Sequence, residues 1–365
     1  MKHADHHDDP SVDCGQGETQ GVGTRLDTAL TARGFTTRRL RLRAAAVIVA
    51  ITAGVSGVLL YNLTNVLGPD SVCGGAATAD EVHAALGPGR ISEEKSDGWS
   101  PSTYDGPGSC VATVSSGLFG KSERSASFHI AFDAKTADGP AAPDARLFSG
   151  DAVGGVTGSK AWAVLPEGCT KGLRAEVGLS DDSDRVEGLA RLAVVFANTA
   201  AKERNCGDGR TLAVKSLSAQ GARMPVDFAG LCGLPGMAPA KAPDAKNTYR
   251  QQATTAFTPV WSCAITSDET SRPVETFSIT TEPRVTGDRP EYSIEAPGFG
   301  RARWTADRAS RALVVTCQGK PVYFSMGDGF APGVATHYLF PDRTDLWKQF
   351  LTAGGTAIGC EPIIP

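Results

Sequence analysis

Residues 44–67 read AAAVIVAITAGVSGVLLYNLTNVL, from Ala44 to Leu67, and carry no charged side chain. A helix over these 24 residues would be about 36 Å long, enough to cross a hydrocarbon core of about 30 Å. Buried helices of soluble proteins rarely extend this far without one charge. The stretch therefore predicts a single transmembrane helix at 44–67, which divides the chain into a short and a long part.

The flanks of this stretch predict its orientation. Five arginines stand on its N-terminal side: Arg33, Arg38, Arg39, Arg41 and Arg43. The C-terminal side is followed by Asp70, Asp80 and Glu81. Because basic residues stay on the cytoplasmic side, we expect a cytoplasmic N-terminus and an extracytoplasmic segment after Leu67. The apolar region is too long for a signal peptide, which predicts an uncleaved signal anchor in the cell membrane.

Two pairs of small residues lie in the predicted helix. Ala50 with Gly54, and Ala53 with Gly57, have the small-xxx-small spacing that allows close helix approach. A weak homodimer is the prediction from this pattern, although such pairs are common in helices rich in alanine and glycine.

The N-terminal tail, residues 1–43, carries seven Lys/Arg and six Asp/Glu, a net charge of +1, and has no sustained apolar period. It can bury too little surface to offset the entropy of ordering, so we predict a disordered cytoplasmic tail. Its histidines at 3, 6 and 7 could chelate a metal, but a solvated tail is the favoured interpretation.

The cysteines divide at the same boundary. Cys14 lies in the tail and the other eight follow the apolar stretch. An even number of cysteines in an oxidising compartment predicts disulfides. A C-x-x-C spacing would favour a metal site instead, and the sequence contains none. Topology and cysteine count therefore agree by independent arguments.

The spacing of the eight cysteines predicts an internal repeat. The intervals are 37, 59 and 37 residues in the first set and 31, 54 and 43 in the second. Ser109–Thr113 (SCVAT) resembles Ser262–Thr266 (SCAIT), and Ser127–Ile130 (SFHI) resembles Thr276–Ile279 (TFSI). Because eight cysteines allow 105 pairings, connectivity cannot be derived from spacing. We predict pairing within each half, since a duplicated unit should carry its own set of bonds: Cys73–Cys110, Cys169–Cys206, Cys232–Cys263 and Cys317–Cys360.

The two sets also end alike. Phe196 and Phe350 each stand ten residues before the last cysteine, after Asp184-Arg185 and Asp342-Arg343 respectively. The i, i+3, i+4 apolar pattern before Cys206 predicts a helix, with Asp184 and Glu187 as a capping box. Gly354 and Gly355 disfavour the last turns of the second helix.

Strands precede each closing helix, so we predict an α+β fold of two similar, disulfide-bonded antiparallel-sheet domains, each closed by a C-terminal helix. Thr78 and Glu81 predict a further capping box, for a short helix that ends at Leu86. The predicted domains are a tail at 1–43, a transmembrane helix at 44–67, an exported α+β domain at 68–206, a linker at 207–231 and a second α+β domain at 232–365.

The exported part offers little recognisable chemistry. It carries 29 Lys/Arg and 34 Asp/Glu, a net charge of −5, without a basic stripe, so we expect no nucleic-acid partner. Ser92-Glu93-Glu94-Lys95 matches S-x-x-K but lacks the companion motifs S-D-N and K-T-G. The exported histidines, His83, His129 and His337, are interpreted as polar-face residues, although a triad is recognised by geometry and stays open.

Two further sites were weighed on composition. Asp181, Asp182 and Asp184 could hold calcium, but the spacing of a calcium-binding loop is absent. Acidic residues at the start of a helix are also explained by their favourable interaction with the helix dipole. Trp99 lies in a Ser/Pro/Gly/Asp loop and is a candidate contact for a ligand or partner. We expect no catalytic residue, cofactor or metal.

The Ala/Gly/Arg/Asp-rich composition, the arginine-flanked helix and the closing segment VVFANTAAKERNC at 194–206 resemble a class of uncharacterised membrane-anchored exported proteins of actinobacteria such as Streptomyces. The resemblance implies a cell-envelope binding or sensor-like module whose partner is a wall component, a small molecule or a protein. It carries no catalytic motif. The alternative is an envelope hydrolase built from scattered residues such as Ser92, Lys95 or His129, and a purely structural role is also compatible.

Overall fold

The computed structural model describes residues 28–29, 31–33, 38–65, 68–96, 99–101, 109–117, 122–132, 145–148, 150–170, 173–241, 249–255, 257, 260–268, 273–282, 293–295, 303–305, 310–328, 339–360 and 363. Its contacts divide the chain into two units, residues 1–60 and 61–365. Cys14, most of the predicted disordered tail and His337 lie outside the described residues.

Helix α1, Arg38–Leu63, contains the apolar stretch. Its segment Leu40–Leu60 is long and apolar enough to cross a membrane and is not buried; it is the one such helix among the described residues. The helix begins six residues before the predicted span because arginine and leucine are good helix formers. The last two residues of that span, 66–67, lie outside the described part of the chain.

A short hairpin and a capped helix begin the second unit. Strands β1 (Ser71–Val72) and β2 (Ala77–Thr78) are antiparallel and lead into helix α2, Ala79–Leu86. The Thr78 N–H donates to the Glu81 carboxylate at 2.8 Å, and the Glu81 N–H donates to the Thr78 hydroxyl at 3.4 Å. This is the predicted capping box, and Gly87, with φ of +92°, ends the helix.

Seven antiparallel strands form the first sheet. They are β3 (Arg90–Lys95), β4 (Cys110–Ser116), β5 (Ser122–Phe132), β6 (Arg146–Phe148), β7 (Gly154–Val156), β8 (Lys160–Val164) and β9 (Leu173–Leu179). Their spatial order is β3-β4-β5-β9-β8-β7-β6. The apolar positions that alternate along β4, β5, β8 and β9 face α2 and α3 and form one buried core.

Helix α3, Val186–Glu203, supplies the other half of that core. Its buried apolar stripe includes Leu189, Ala193 and Phe196, as the period predicts. The predicted capping box of Asp184 and Glu187 is wrong. The N-cap is Arg185, which makes no side-chain cap, and its own N–H donates to the Ser183 hydroxyl at 3.1 Å.

A second antiparallel sheet follows. Its strands are β10 (Met224–Pro225), β11 (Tyr249–Ala253), β12 (Val260–Ser267), β13 (Pro273–Thr280), β16 (Ser310–Cys317) and β17 (Lys320–Asp328). They lie in the order β10-β11-β12-β13-β17-β16, and a separate hairpin is formed by β14 (Ser293–Glu295) and β15 (Arg303–Thr305). The α+β class with antiparallel sheets is thus confirmed.

Helix α4, Arg343–Ala357, lies on the second core. Asp342 caps it by accepting the N–H groups of Thr344 at 2.8 Å and Asp345 at 3.0 Å. The two glycines do not end the helix early. A Cβ on Gly354 would lie 2.8 Å from Ile279 Cδ1, so glycine lets α4 approach the sheet closely.

Four disulfides are present among the described residues. They are Cys73–Cys110, Cys169–Cys206, Cys232–Cys263 and Cys317–Cys360, the pairs that the repeat predicts. The first bond of each set joins a 3₁₀ turn to a central strand. The second joins the end of a strand or its following turn to a cysteine three residues beyond the closing helix.

The segment at 207–231, predicted as a linker, pairs with both sheets. The Ser218 N–H donates to the Leu147 carbonyl at 2.6 Å, which continues the first sheet beyond β6. Gln220 forms an antiparallel bridge with Thr254, and β10 pairs with β11 of the second sheet. Residues 218–226 of this segment therefore have strand-like interactions.

Candidate functional site

One row of residues crosses the first sheet on the face opposite the helices. Cross-strand pairing aligns Gly155, Trp162, Glu176 and His129 on β7, β8, β9 and β5. Their neighbours along each strand, such as Phe128 on β5, belong to the helix-covered core. Because side chains alternate between the faces of a strand, this row lies on the outer face.

Glu176 is the centre of this row. Its side chain is only 2% exposed, and an unpaired buried carboxylate would be costly. Glu176 Oε2 lies 2.8 Å from His129 Nε2 and 2.7 Å from Lys160 Nζ, and its Oε1 pairs with Arg174 Nε. We call these four residues the outer-face cluster.

The partners determine the charge state of the carboxyl. Burial raises the pKa of Glu176, because water solvates the charged form better. The hydrogen bond from His129, the charge of Arg174, and the hydrogen bond and charge of Lys160 lower it by more, so the pKa falls from 4.5 to about 2. Glu176 is therefore ionised at neutral pH.

The three partners of Glu176 differ in exposure. His129 and Lys160 are 46% and 48% exposed, whereas Arg174 is 12% exposed. Beside them, Lys160 pairs across the sheet with Gly178, and Gly178 with Ser127. Gly178 has no side chain, and the Ser127 hydroxyl lies close to it: the hydroxyl donates to the Gly178 carbonyl at 3.2 Å, and an added Cβ on Gly178 would be 3.0 Å from Ser127 Oγ.

The same position of the second sheet contains no charge. Phe277 on β13 is the cross-strand partner of Cys263, as Phe128 on β5 is of Cys110. The next residue is Ser278, which stands where His129 does, and its hydroxyl lies 2.6 Å from the Ser325 hydroxyl on the neighbouring strand. A hydrogen-bonded pair of serines thus occupies the position of His129 and Glu176.

Trp162, the other neighbour of Glu176, packs toward the second half. Its indole lies over Gly155, where an added Cβ would be 3.0 Å from Nε1. It shares a small apolar cluster with Leu147, Val164 and Val260, the last of which begins β12. One end of the outer-face row, at Trp162, therefore packs in the same apolar cluster as Val260 of the second sheet.

The residues of the S-x-x-K match lie on an edge strand. Because Ser92 and Lys95 are an odd number of residues apart on β3, their side chains face opposite sides of the sheet. Lys95 Nζ pairs with the Glu93 carboxylate at 3.2 Å. The structure does not bring Ser92 and Lys95 together as a nucleophile and its base.

The histidines have separate surroundings. His83 Nε2 lies 3.0 Å from the Gly89 carbonyl. His129 has one hydrogen-bond partner among the described residues, Glu176. His129 and Glu176 have the arrangement of the histidine and the carboxylate of a catalytic triad. Among the described residues, no hydroxyl is hydrogen-bonded to the His129 ring.

Trp99 is half-buried. Its ring packs against the first core, and its Nε1–H donates to the Phe128 carbonyl at 3.3 Å. The indole therefore has a packing role, and its role as a partner contact stays a prediction.

One group of metal-binding residue types converges in the described part of the chain. Ligand atoms of Cys73, Glu93 and Cys110 lie within 4.8 Å of one another. Both sulfurs belong to one disulfide, and metals bind the thiolate. Glu93 instead accepts the backbone N–H of Cys73. Of the aspartates weighed for calcium, Asp181 accepts a hydrogen bond from Ser180 at 3.1 Å.

Of the outer-face cluster, His129 is a candidate from the sequence alone, whereas Glu176, Lys160 and Arg174 are not. A signal existed in β9, where LRAEVGL places two charges on one face of an otherwise apolar strand. Its meaning depends on the register with β5 and β8.

No protein-family model, no curated protein and no solved structure matches this chain. The outer-face cluster must therefore be interpreted from its own chemistry.

Proposed function

We propose that this is a single-pass membrane protein with a cytoplasmic N-terminus and an extracytoplasmic, disulfide-bonded segment that binds a component of the cell envelope. The observation that carries the proposal is the distribution of cysteines. All eight cysteines after α1 are in disulfides, whereas Cys14 precedes the helix. Disulfides persist in oxidising compartments, and the arginines before α1 favour the cytoplasmic side.

The extracytoplasmic segment is proposed to be a duplicated unit, with copies at 68–206 and 232–365. Contacts between equivalent phenylalanines, one pair edge-to-face and the other tilted, support this. Phe128 and Phe196 have ring centroids 5.4 Å apart, and Phe277 and Phe350 5.0 Å apart. The strand orders β3-β4-β5-β9-β8 and β11-β12-β13-β17-β16 also correspond, since the chain visits both in the same sequence.

The ends of the closing helices support the duplication independently. The Cys206 N–H donates to the Ala201 carbonyl at 3.0 Å, and the Cys360 N–H to the Gly355 carbonyl at 2.9 Å. Each cysteine follows a residue of positive φ, Asn205 in one copy and Gly359 in the other. This is the Schellman arrangement at the same position of both units.

A binding role is favoured over catalysis by the difference between the copies. The second copy has the same arrangement of strands with a pair of serines at the position of the outer-face cluster. The fold of the unit therefore does not require the charges of the first copy. The alternative, an envelope hydrolase, would use His129 oriented by Glu176 and needs a nucleophile beside the imidazole. The resemblance to exported actinobacterial proteins remains a proposal about origin.

Orientation is tested by labelling Cys14 with a membrane-impermeant maleimide in intact cells. We expect labelling only after the membrane is permeabilised, and none in the matched Cys14→Ser variant. Labelling of intact cells would refute the cytoplasmic N-terminus.

Binding is tested by thermal stabilisation of the full-length protein in nonionic detergent with envelope extracts. A ligand present at 100 times its Kd adds about 2.7 kcal/mol to the free energy of unfolding. A melting temperature unchanged by every extract would count against binding, and turnover of an envelope ester or amide would support the hydrolase instead.

A further inference from the structure

We infer that Cys169–Cys206 is a reducible disulfide, which an exported protein dithiol opens in the folded molecule and which thereby controls the turn between β8 and β9. The core disulfides Cys73–Cys110 and Cys232–Cys263 stay closed under the same conditions. The inference goes beyond the proposed function and takes from it only the extracytoplasmic location of the disulfides.

The four disulfides differ in how far solvent reaches them. In Cys73–Cys110 both cysteines are 0% exposed, and in Cys232–Cys263 they are 5% and 1% exposed. In Cys317–Cys360 the first cysteine is 8% exposed and the second is partly exposed. In Cys169–Cys206 both cysteines are partly exposed, so this is the one bond of these four without a buried cysteine.

Access decides which disulfide a thiol can reduce. A thiolate must reach one of the two sulfurs, with which it forms a mixed disulfide. A bond inside a closed core is reached only when that core opens, and opening a core requires up to the global free energy of unfolding. Cys73 and Cys110 belong to the first core, whereas Cys169 packs against it from outside. Cys169–Cys206 can therefore be attacked while the core stays closed.

The exchange is a two-electron reduction. One thiolate of the dithiol attacks the sulfur of Cys169 or Cys206, the bond between these two sulfurs breaks, and the leaving thiolate takes up a proton. The second thiol of the reductant then attacks the mixed disulfide and releases the other cysteine as a thiol. The dithiol ends as a disulfide, and the protons of its two thiols end on the two cysteines.

The bond fastens the turn between β8 and β9 to the end of α3. Cys169 lies in this turn, where its N–H donates to the Pro166 carbonyl at 3.2 Å, and Cys206 lies three residues beyond α3. The same two segments are also joined by an ion pair of Glu167 and Arg210, 3.9 Å apart. Both of these side chains are largely exposed, so the ion pair contributes little. Opening the disulfide therefore frees the turn from the helix end.

The corresponding bond of the second copy has a further connection beside it. Gln318 Nε2 donates to the Gly359 carbonyl at 2.9 Å, so a hydrogen bond joins the same two segments as Cys317–Cys360. When that disulfide opens, this hydrogen bond still holds its ends together. Of the two disulfides at helix ends, Cys169–Cys206 is thus the more accessible one, and its opening changes the structure more.

The freed turn joins two strands of the outer-face cluster. Lys160 lies on β8, and Arg174, the second residue of β9, pairs with Val164 at the end of β8. The helix keeps its last turn without the disulfide, because the Cys206 N–H donates to the Ala201 carbonyl at 3.0 Å. Reduction therefore loosens one end of the β8–β9 hairpin and leaves α3 intact.

The test is stepwise reduction of the oxidised, full-length protein in nonionic detergent with dithiothreitol, after Cys14 has been blocked with N-ethylmaleimide. New thiols are alkylated with iodoacetamide and assigned by peptide mass spectrometry, while near-ultraviolet circular dichroism monitors the fold. We expect Cys169 and Cys206 to be alkylated at a dithiothreitol concentration about tenfold or more below that which opens Cys73–Cys110, with the fold retained. Opening of another pair first, or of all pairs in one step with loss of the fold, would overturn the inference.

Hydrogen exchange of the protein reduced at this one bond tests the control of the turn. The Leu165 N–H, which donates to the Leu173 carbonyl at 3.1 Å, should exchange about tenfold or more faster than in the oxidised protein, while the amides of α3 keep their protection. Unchanged exchange at Leu165 would show that the bond does not control the turn. The matched variant, Cys317→Ser with Cys360→Ser, should open Cys169–Cys206 at the same dithiothreitol concentration as wild type.

The class of reductant is tested with reduced thioredoxin, as a protein dithiol, and reduced glutathione, as a small monothiol. Opening of Cys169–Cys206 by thioredoxin supports a protein dithiol as the partner, whereas opening by glutathione alone would overturn that assignment. Cell-surface labelling of Cys14 would refute the proposed location and leave the order of reduction unchanged.

Discussion

Replacing Glu176 by glutamine removes the one anion of the outer-face cluster while it preserves the shape of the side chain. The pKa of Glu176 is lowered from 4.5 to about 2 in the folded protein. Each pKa unit corresponds to about 1.36 kcal/mol, so the ionised carboxylate contributes about 3 kcal/mol to the free energy of unfolding. We expect Glu176→Gln to lower the free energy of unfolding by about that amount at pH 7, because the charges of Lys160 and Arg174 then face a neutral amide.

The sign of the pH dependence follows from the direction of the shift. A group whose pKa is lower in the folded than in the unfolded state contributes its full stabilisation above the unfolded-state value, here 4.5. The contribution is lost as the pH falls from 4.5 to about 2. The contribution of Glu176 to the difference in stability between wild type and Glu176→Gln should therefore be fully present at neutral pH and shrink steadily below pH 4.5.

The assay is urea unfolding of the full-length protein in nonionic detergent, with its disulfides intact, monitored by near-ultraviolet circular dichroism from pH 3 to 8. Glu94→Gln is the matched control, because Glu94 is an exposed glutamate of the edge strand β3. The control should remain within about 0.5 kcal/mol of wild type at every pH. A difference for Glu176→Gln that is small at pH 7, or that does not change below pH 4.5, would refute the argument.

Three further predictions concern the framework and are checked by thermal unfolding of the same protein. An added methyl group in Gly188→Ala would overlap the Ala84 carbonyl where α2 and α3 touch, so we expect a loss of about 1–3 kcal/mol although alanine favours helices; a higher melting temperature would contradict this. Phe350→Ala removes the ring against which Phe277, Phe324 and Trp347 pack and should cost about 3–5 kcal/mol; a loss below 1 kcal/mol would contradict the packing. Replacing Cys169 and Cys206 by alanine opens a loop with a sequence separation of 37 and should cost about 4 kcal/mol by the chain-entropy estimate, with an unchanged melting temperature as the contrary result.

The parts of the fold that could be predicted from sequence have local causes. Apolar residues alternate over 173–179 between turn residues, which alone predicts a strand there, and β9 has these bounds, Leu173–Leu179. The helix after Thr78 was predicted from a capping box that spans four residues. Local periodicity and capping need no knowledge of the rest of the chain.

The parts that were missed depend on distant partners. Strand β3 reads RISEEK and has only Ile91 buried, so nothing in its pattern indicates a strand until β4 is placed beside it. Glu176 and His129 are 47 residues apart, and only the pairing of β5 with β9 brings them together. The candidate site could not be predicted because its geometry is a property of register.

The strand-like pairing of residues 218–225 has a consequence for protein production. An uncovered sheet edge offers unpaired backbone groups to another chain and promotes aggregation. Ser218 covers the edge of the first sheet at Leu147, and Gln220 covers the second at Thr254. A fragment that ends at Cys206 would leave the edge at β6 uncovered, so each half should be expressed with its share of this segment if it is to stay soluble.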